Sequence, residues 1–117
     1  MSESIIREKA QAFAKDIIVL MREIREKTKE HVLTNQLLKS GTSIGANIHE
    51  AQYAQGRLDF ISKLEIALKE CYESEYWLEL LFETGYIDQD EYKDLDKKCR
   101  EIRRLLVASC ATAKANV

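Results

Sequence analysis

Not one proline interrupts this chain, and its four glycines fall at positions 41, 45, 56 and 85. Proline removes a backbone donor and clashes with the preceding helical turn, and glycine is the next most costly helix residue. A chain this poor in both can run as long, unbroken helices, and the few glycines mark where helices end or pack closely. Glu, Lys, Leu, Ile and Ala, which favour helix, dominate the remainder.

The apolar rhythm gives the helices. From about Glu3 to Thr28, the residues Ile6, Ala10, Phe13, Ile17, Leu20 and Ile24 recur in alternating steps of four and three, one face of a helix. A charged stretch from Arg25 to Glu30 leads into the first turn. Thr34 is a good N-cap residue for a second helix reaching about Gln55, with Leu37, Gly41, Ile44, Ile48 and Ala51 on one face. Gly41 and Gly45 let a neighbouring helix come close; alternatively, the Ser40-Gly41-Thr42-Ser43 run breaks the helix. Gly56 marks the second turn. A third helix is expected from Leu58 to Thr84, with Ile61, Leu64, Leu68, Cys71, Leu78 and Phe82 inward and Gly85 as its C′ residue. Asp88 and Glu91 then form a capping box for a fourth helix running to about Ala113, with Tyr92, Leu95, Cys99, Ile102, Leu106, Ser109 and Ala113 facing the core.

Four amphipathic helices joined by short connections predict an all-α, antiparallel up-down-up-down four-helix bundle, a single domain over residues 1–117. With 32% charged and 45% hydrophobic residues the chain is neither disordered nor a membrane span, and its longest strongly apolar run is only Ile17 to Met21. The first residues, Met1-Ser2-Glu3-Ser4, lack the basic and apolar regions of a signal peptide, so a cytoplasmic location is expected. Three cysteines, Cys71, Cys99 and Cys110, without a C-x-x-C pair, read as buried reduced thiols.

No catalytic or metal pattern emerges. His31 and His49 are the only histidines, neither stands three residues after a Glu, and His49-Glu50 is not followed by the second histidine of H-E-x-x-H. No phosphate-binding or dinucleotide glycine pattern is present, so no cofactor, no metal and no enzyme activity are expected. Two outer faces carry the functional expectation instead. On the third helix Ile66, Trp77 and Leu80 fall opposite the core, with Glu70 and Glu73 on that outer side and Tyr76 flanking; on the second helix Ala46 and Tyr53 face outward and Asn47 lies near the edge of the core stripe. An outward apolar stripe that includes a Trp suits a subunit interface. On the fourth helix Lys93, Lys97, Arg100 and Arg104 form a basic stripe that suits phosphate contacts, supplemented by Arg7, Lys15 and Arg22 on the first. Asp94 and Glu101 flank that stripe, and a solvated face with local ion pairs is the plainer reading.

The segment Gln36–Ala51, QLLKSGTSIGANIHEA, and the segments DFISKLEIALKE at 59–70 and ESEYWL at 73–78 resemble the four-helix-bundle proteins encoded in intervening sequences of 23S ribosomal RNA genes. That family is similar to the accessory variability proteins of diversity-generating retroelements. Members often carry Pro where this chain has Gly45. The resemblance implies a homopentameric ring without enzyme activity, with conserved positions at Asn47, Glu50, Glu70 and Trp77. In the retroelement branch it implies a strongly basic ring that partners a reverse transcriptase and nucleic acid. This chain departs from that branch with a net charge of −2 and an isoelectric point of about 5.7. The expected function is therefore a non-catalytic oligomeric scaffold or protein-interaction module whose partner is itself or another protein. The alternative is a nucleic-acid-binding accessory protein using the basic face of the fourth helix.

Overall fold

The structure, a computed structural model, describes residues 3–116. Its helices are α1 (Glu3–Thr28), α2 (Val32–Ala51), α3 (Arg57–Glu83) and α4 (Gln89–Ala115). Each packs against its chain neighbours, and α4 closes back on α1, so the helices stand at the corners of a square in chain order, with no close backbone approach across the diagonals among the described residues. This is the antiparallel four-helix bundle that the short connections require. The molecule extends over 48 × 22 × 19 Å.

Local chemistry explains the ends. At the start of α4 the Asp88 carboxylate accepts from the Glu91 amide at 2.7 Å, and the Glu91 carboxylate accepts from the Asp88 amide at 3.0 Å, the reciprocal capping box read from the sequence. Gly85, at φ 85°, closes α3. The amides of Gly85 and Tyr86 reach back to the carbonyls of Phe82 and Leu81, the paired bonds of a Schellman motif. The glycine pair does not break α2. A Cβ on Gly41 would lie 3.3 Å from the Ile17 side chain, and one on Gly45 would lie 3.6 Å from the Ala10 Cβ, so the close approach is to α1.

Both ends of α2 depart from expectation. Thr34 is not its N-cap; it is fully buried inside the first turn. The Glu30 carboxylate does the capping, accepting from the Leu33 amide at 2.8 Å and the Thr34 amide at 3.0 Å, and the helix starts earlier. Burial works against ionisation of Glu30, but these amide bonds outweigh it and hold its carboxyl below the ordinary range. At the other end the amides of Gln52, Tyr53 and Ala54 bond carbonyls three residues back, which tightens the chain out of α geometry after Ala51. The Gln55 amide is taken by the Asp59 carboxylate at 3.1 Å.

The core runs the length of the bundle through Ile6, Phe13, Ile17, Leu37, Ile44, Leu64, Leu78, Ile102 and Leu106, as the apolar rhythm indicates. Four positions shift by one residue: Met21, Ala67, Leu81 and Cys110 are buried, whereas Leu20, Leu68, Phe82 and Ser109 are half-buried. On α3 the shift has a physical cause. Ala67 and Ser74 are small enough for α2 to approach, and the Ser74 hydroxyl donates to the Ser40 hydroxyl at 2.9 Å across the buried seam. Phe82 turns instead to α4, where it stacks on Tyr92 with centroids 4.7 Å apart.

Candidate interaction surfaces

The shift of the α3 core toward α2 also moves the outward stripe. Trp77 and Leu80 do not lie opposite the core; both are half-buried, and Trp77 packs against the core cluster. At about 100° per residue Ile66, Glu70 and Trp77 lie within about 40° of one another, along the shoulder where α3 meets α2. Ile66 is 40% exposed, and the aromatic rings of Tyr53 and Tyr76 are more open still, at 74% and 57%. Tyr76 meets Trp77 edge-on at 5.0 Å, and Tyr53 tilts against His49 at 5.4 Å. The Trp77 indole N–H is buried without a hydrogen-bond partner among the described residues.

Charged and polar groups gather on the same shoulder. Burial pushes the Glu70 carboxyl above its ordinary range, and the neighbouring Glu73, as hydrogen-bond partner and as like charge, pushes it the same way. The Ser43 hydroxyl on α2 and the Lys69 charge pull in the other direction without cancelling it. Asn47 donates to the Ser43 carbonyl at 2.9 Å, a bond within its own helix. Glu50 pairs with Lys63 of α3 at 3.2 Å. The structure thus brings Asn47, Glu50, Ile66, Glu70, Glu73, Trp77 and Leu80 to the α2/α3 side. Ala46 lies apart from them and lines the opposite seam, between α2 and α1.

The basic stripe is partly spent. Lys93, Lys97, Arg100 and Arg104 are all exposed along α4. Arg100, however, donates to Asp96 at 2.8 Å and lies 3.8 Å from Glu75, while Lys9 of α1 holds Glu101 in a 2.5 Å pair. Sequence reasoning did not find Arg103, which donates to Glu75 at 2.6 and 3.4 Å and sits 5.0 Å from the Tyr72 ring centroid. This clamp joins α3 to α4, and no sequence signal beyond charge pairing pointed to it.

Sequence reasoning also missed the grooves along the α1/α2 seam. One, of about 500 Å³, runs past Arg7, Gln11, Ala14, Gly45 and Ala46; the other, of about 410 Å³, lies nearer the α1–α2 turn and is lined by Ile18, Arg22, Arg25, Glu26, Lys29, His31 and Leu38. The α1 residues Arg7, Gln11, Ala14, Ile18, Arg22 and Arg25, continued by Lys29 just past the helix end, follow steps of four and three, a second stripe beside the core stripe.

With this geometry in view, comparison with known proteins is decisive for kinship. The family model of the 23S rRNA-intervening sequence proteins matches residues 2–108. The chain belongs to that family. The crystal structure of a protein of unknown function from the S23 ribosomal protein family of Bacteroides thetaiotaomicron is similar throughout. It has a TM-score of 0.93 and 46% sequence identity, covering 95% of this chain and 99% of that one. No curated protein matches the sequence.

In this intervening-sequence bundle the ionisable core groups are held quiet. Cys99 donates to the Cys71 carbonyl at 3.4 Å. Its hydrogen bonding to Cys71, and then its burial, push the Cys99 thiol far above its ordinary range. Burial also pushes Cys110 up. Among the described residues no three His, Cys, Asp or Glu side chains converge as metal ligands, and no helix is long and apolar enough to cross a membrane. The arrangement offers binding faces: an aromatic and acidic shoulder on α2/α3, and grooves rimmed by cations on α1/α2.

Proposed function

We propose that this protein is a non-catalytic scaffold that assembles with copies of itself through the α2/α3 shoulder. The homopentameric ring implied by its family resemblance is the expected form, and the cytoplasm the expected location. The observation that carries the reading is the pair of open side chains on that shoulder, Ile66 and Tyr76, beside the half-buried Trp77, whereas Tyr53, past the end of α2, lies against His49 on the α1/α2 side. Scattered surface apolar residues need no explanation, but an aromatic group beside a Trp has the composition of an interface centre. A nucleic-acid face on α4 is the weaker reading, because Arg100 is neutralised within the protomer and Asp94 and Glu101 interrupt the stripe.

Light scattering coupled to size exclusion, at low and moderate salt, tests the scaffold directly. The expected mass is a multiple of the 13.5 kDa chain at both salt levels. A single-chain mass across the micromolar range would remove the reading.

A further inference from the structure

The α2/α3 shoulder and the α1/α2 groove near the first turn are opposite in charge, and both present apolar side chains. The shoulder projects Ile66 and Tyr76 and carries the close Glu70–Glu73 carboxyl pair, with Lys69 the cation beside them. The groove is concave. Its floor is apolar, from Ile18 and Leu38, and Arg22, Arg25 and Lys29 outnumber the one acid, Glu26, around it. Arg25 already donates to the neutral Thr34 hydroxyl at 2.9 Å and to the Asn35 side chain, so Arg22 and Lys29 are the groove cations left to meet an incoming carboxylate.

A two-fold contact that set the shoulder against itself would bring two Glu70–Glu73 pairs together in a drying interface, a like-charge juxtaposition that is strongly unfavourable. Placed against the groove, the same carboxylates meet cations and the same apolar side chains meet an apolar floor. We propose that the α1/α2 groove receives the α3 shoulder of a second copy of this chain, Ile66 and Tyr76 lying over Ile18 and Leu38, and Glu73 facing Arg22 of the next copy. This inference rests on the scaffold reading and adds its second face. A contact between two different faces is head-to-tail, so every copy keeps one free shoulder and one free groove until a ring closes or a filament grows.

Two variants at partly exposed positions separate the faces. Ile66→Arg puts a cation on the shoulder, and Ile18→Arg fills the groove with one. Each retains one intact face, and the two altered faces repel each other. Each alone is expected to run at the mass of a single chain. An equimolar mixture is expected to give a two-chain species and nothing larger, because one intact shoulder can enter one intact groove. Circular dichroism and thermal melts establish that the variants fold. Glu73→Arg and Arg22→Glu, both at exposed positions, serve as milder replacements; each alone is expected to run as a single chain, and because their exchanged charges complement each other, their mixture is expected to regain species larger than two chains. If the groove variants keep the wild-type mass while the shoulder variants become single chains, the groove has no part in assembly and the inference falls, although the scaffold stands. A groove variant that keeps the wild-type mass but loses salt-dependent binding of a mixed-sequence oligonucleotide would overturn it in favour of a nucleic-acid face. A wild-type protein that is itself a single chain overturns the scaffold reading first.

Discussion

Glu70 shows how one side chain carries the tension of its surface. Its carboxyl is half-buried at the α2/α3 seam, beside Glu73 on its own helix, with Lys69 as the nearby cation and the Ser43 hydroxyl reaching it from α2. Burial and the Glu73 charge raise its pKa, so the folded protein holds the Glu70 proton more tightly than the unfolded chain does. At neutral pH its ionisation therefore opposes folding, and that cost fades as pH falls through the raised folded pKa. Measured in the Ile18→Arg background, expected to be a single chain, Glu70→Gln, which keeps the shape and removes the charge, is expected to raise the Tm near pH 7, the gap narrowing as the buffer approaches about pH 4. Melts of both proteins across that range at one protein concentration provide the check. A gap that stays constant would mean that the charge is not what costs stability. The sequence placed Glu70 on an outer face but held no sign of its burial, because burial came from a rotation of α3 that small residues, Ala67 and Ser74, made favourable.

At the scale of the element, ends marked by a local residue pattern were easier to read than ends set by the folded geometry. Gly85 works because its φ of 85° lies where an L side chain is strained, while Gly56, at φ −179°, is extended backbone with nothing within 4 Å of an added Cβ. Gly85→Ala is therefore expected to cost about 1 kcal/mol, a Tm loss of about 4–8 °C, and Gly56→Ala to leave the melt within about 1 °C of wild type. Equal effects in thermal or urea melts would contradict the conformational account. The capping box at Asp88 and Glu91 and the stop at Gly85 were legible because each is a local pattern of residue types at fixed spacing. The start of α2 was not. Its capping carboxylate, Glu30, belongs to a charged run that reads as a solvated turn, and only the folded geometry shows two amides converging on it. The core stripes were legible to within one residue, since a helix in a bundle touches two neighbours and buries a band wider than one heptad seam. Bulky Leu68 and Phe82 drew the reading of α3 toward α4, and the Ser40–Ser74 bond inside the α2/α3 seam has no apolar signature at all. The second stripe on α1 was visible as spacing, yet nothing in one sequence tells a groove from a ridge.

Over the whole molecule the four seams are not equal. Helices α2 and α3 share the most extensive contact, sealed by small residues and the buried serine pair, and α3/α4 is fastened by the Glu75–Arg103 clamp. The α1/α4 seam is the sparsest, and its charged links, Lys98 with Asp16 at 2.9 Å and Lys9 with Glu101 at 2.5 Å, sit on exposed side chains where salt screens them. A protein opens first where the fewest buried contacts hold an element, so α1 should detach at lower free energy than the α2–α3 hairpin. Native-state hydrogen exchange is expected to show the mid-helix amides of α3 protected up to the global unfolding free energy. Those of α1 should exchange through a smaller opening, with protection falling further as salt is raised. The shoulder proposed to project into a neighbour is thus built on the most rigid pair of helices, whereas the groove proposed to receive it has one wall on the most easily opened helix. Assembly would then tie α1 down, and its protection should rise with protein concentration while that of α3 stays fixed. If α1 and α3 were equally protected at every concentration, the bundle would open only as one unit and no gain in α1 order could accompany docking.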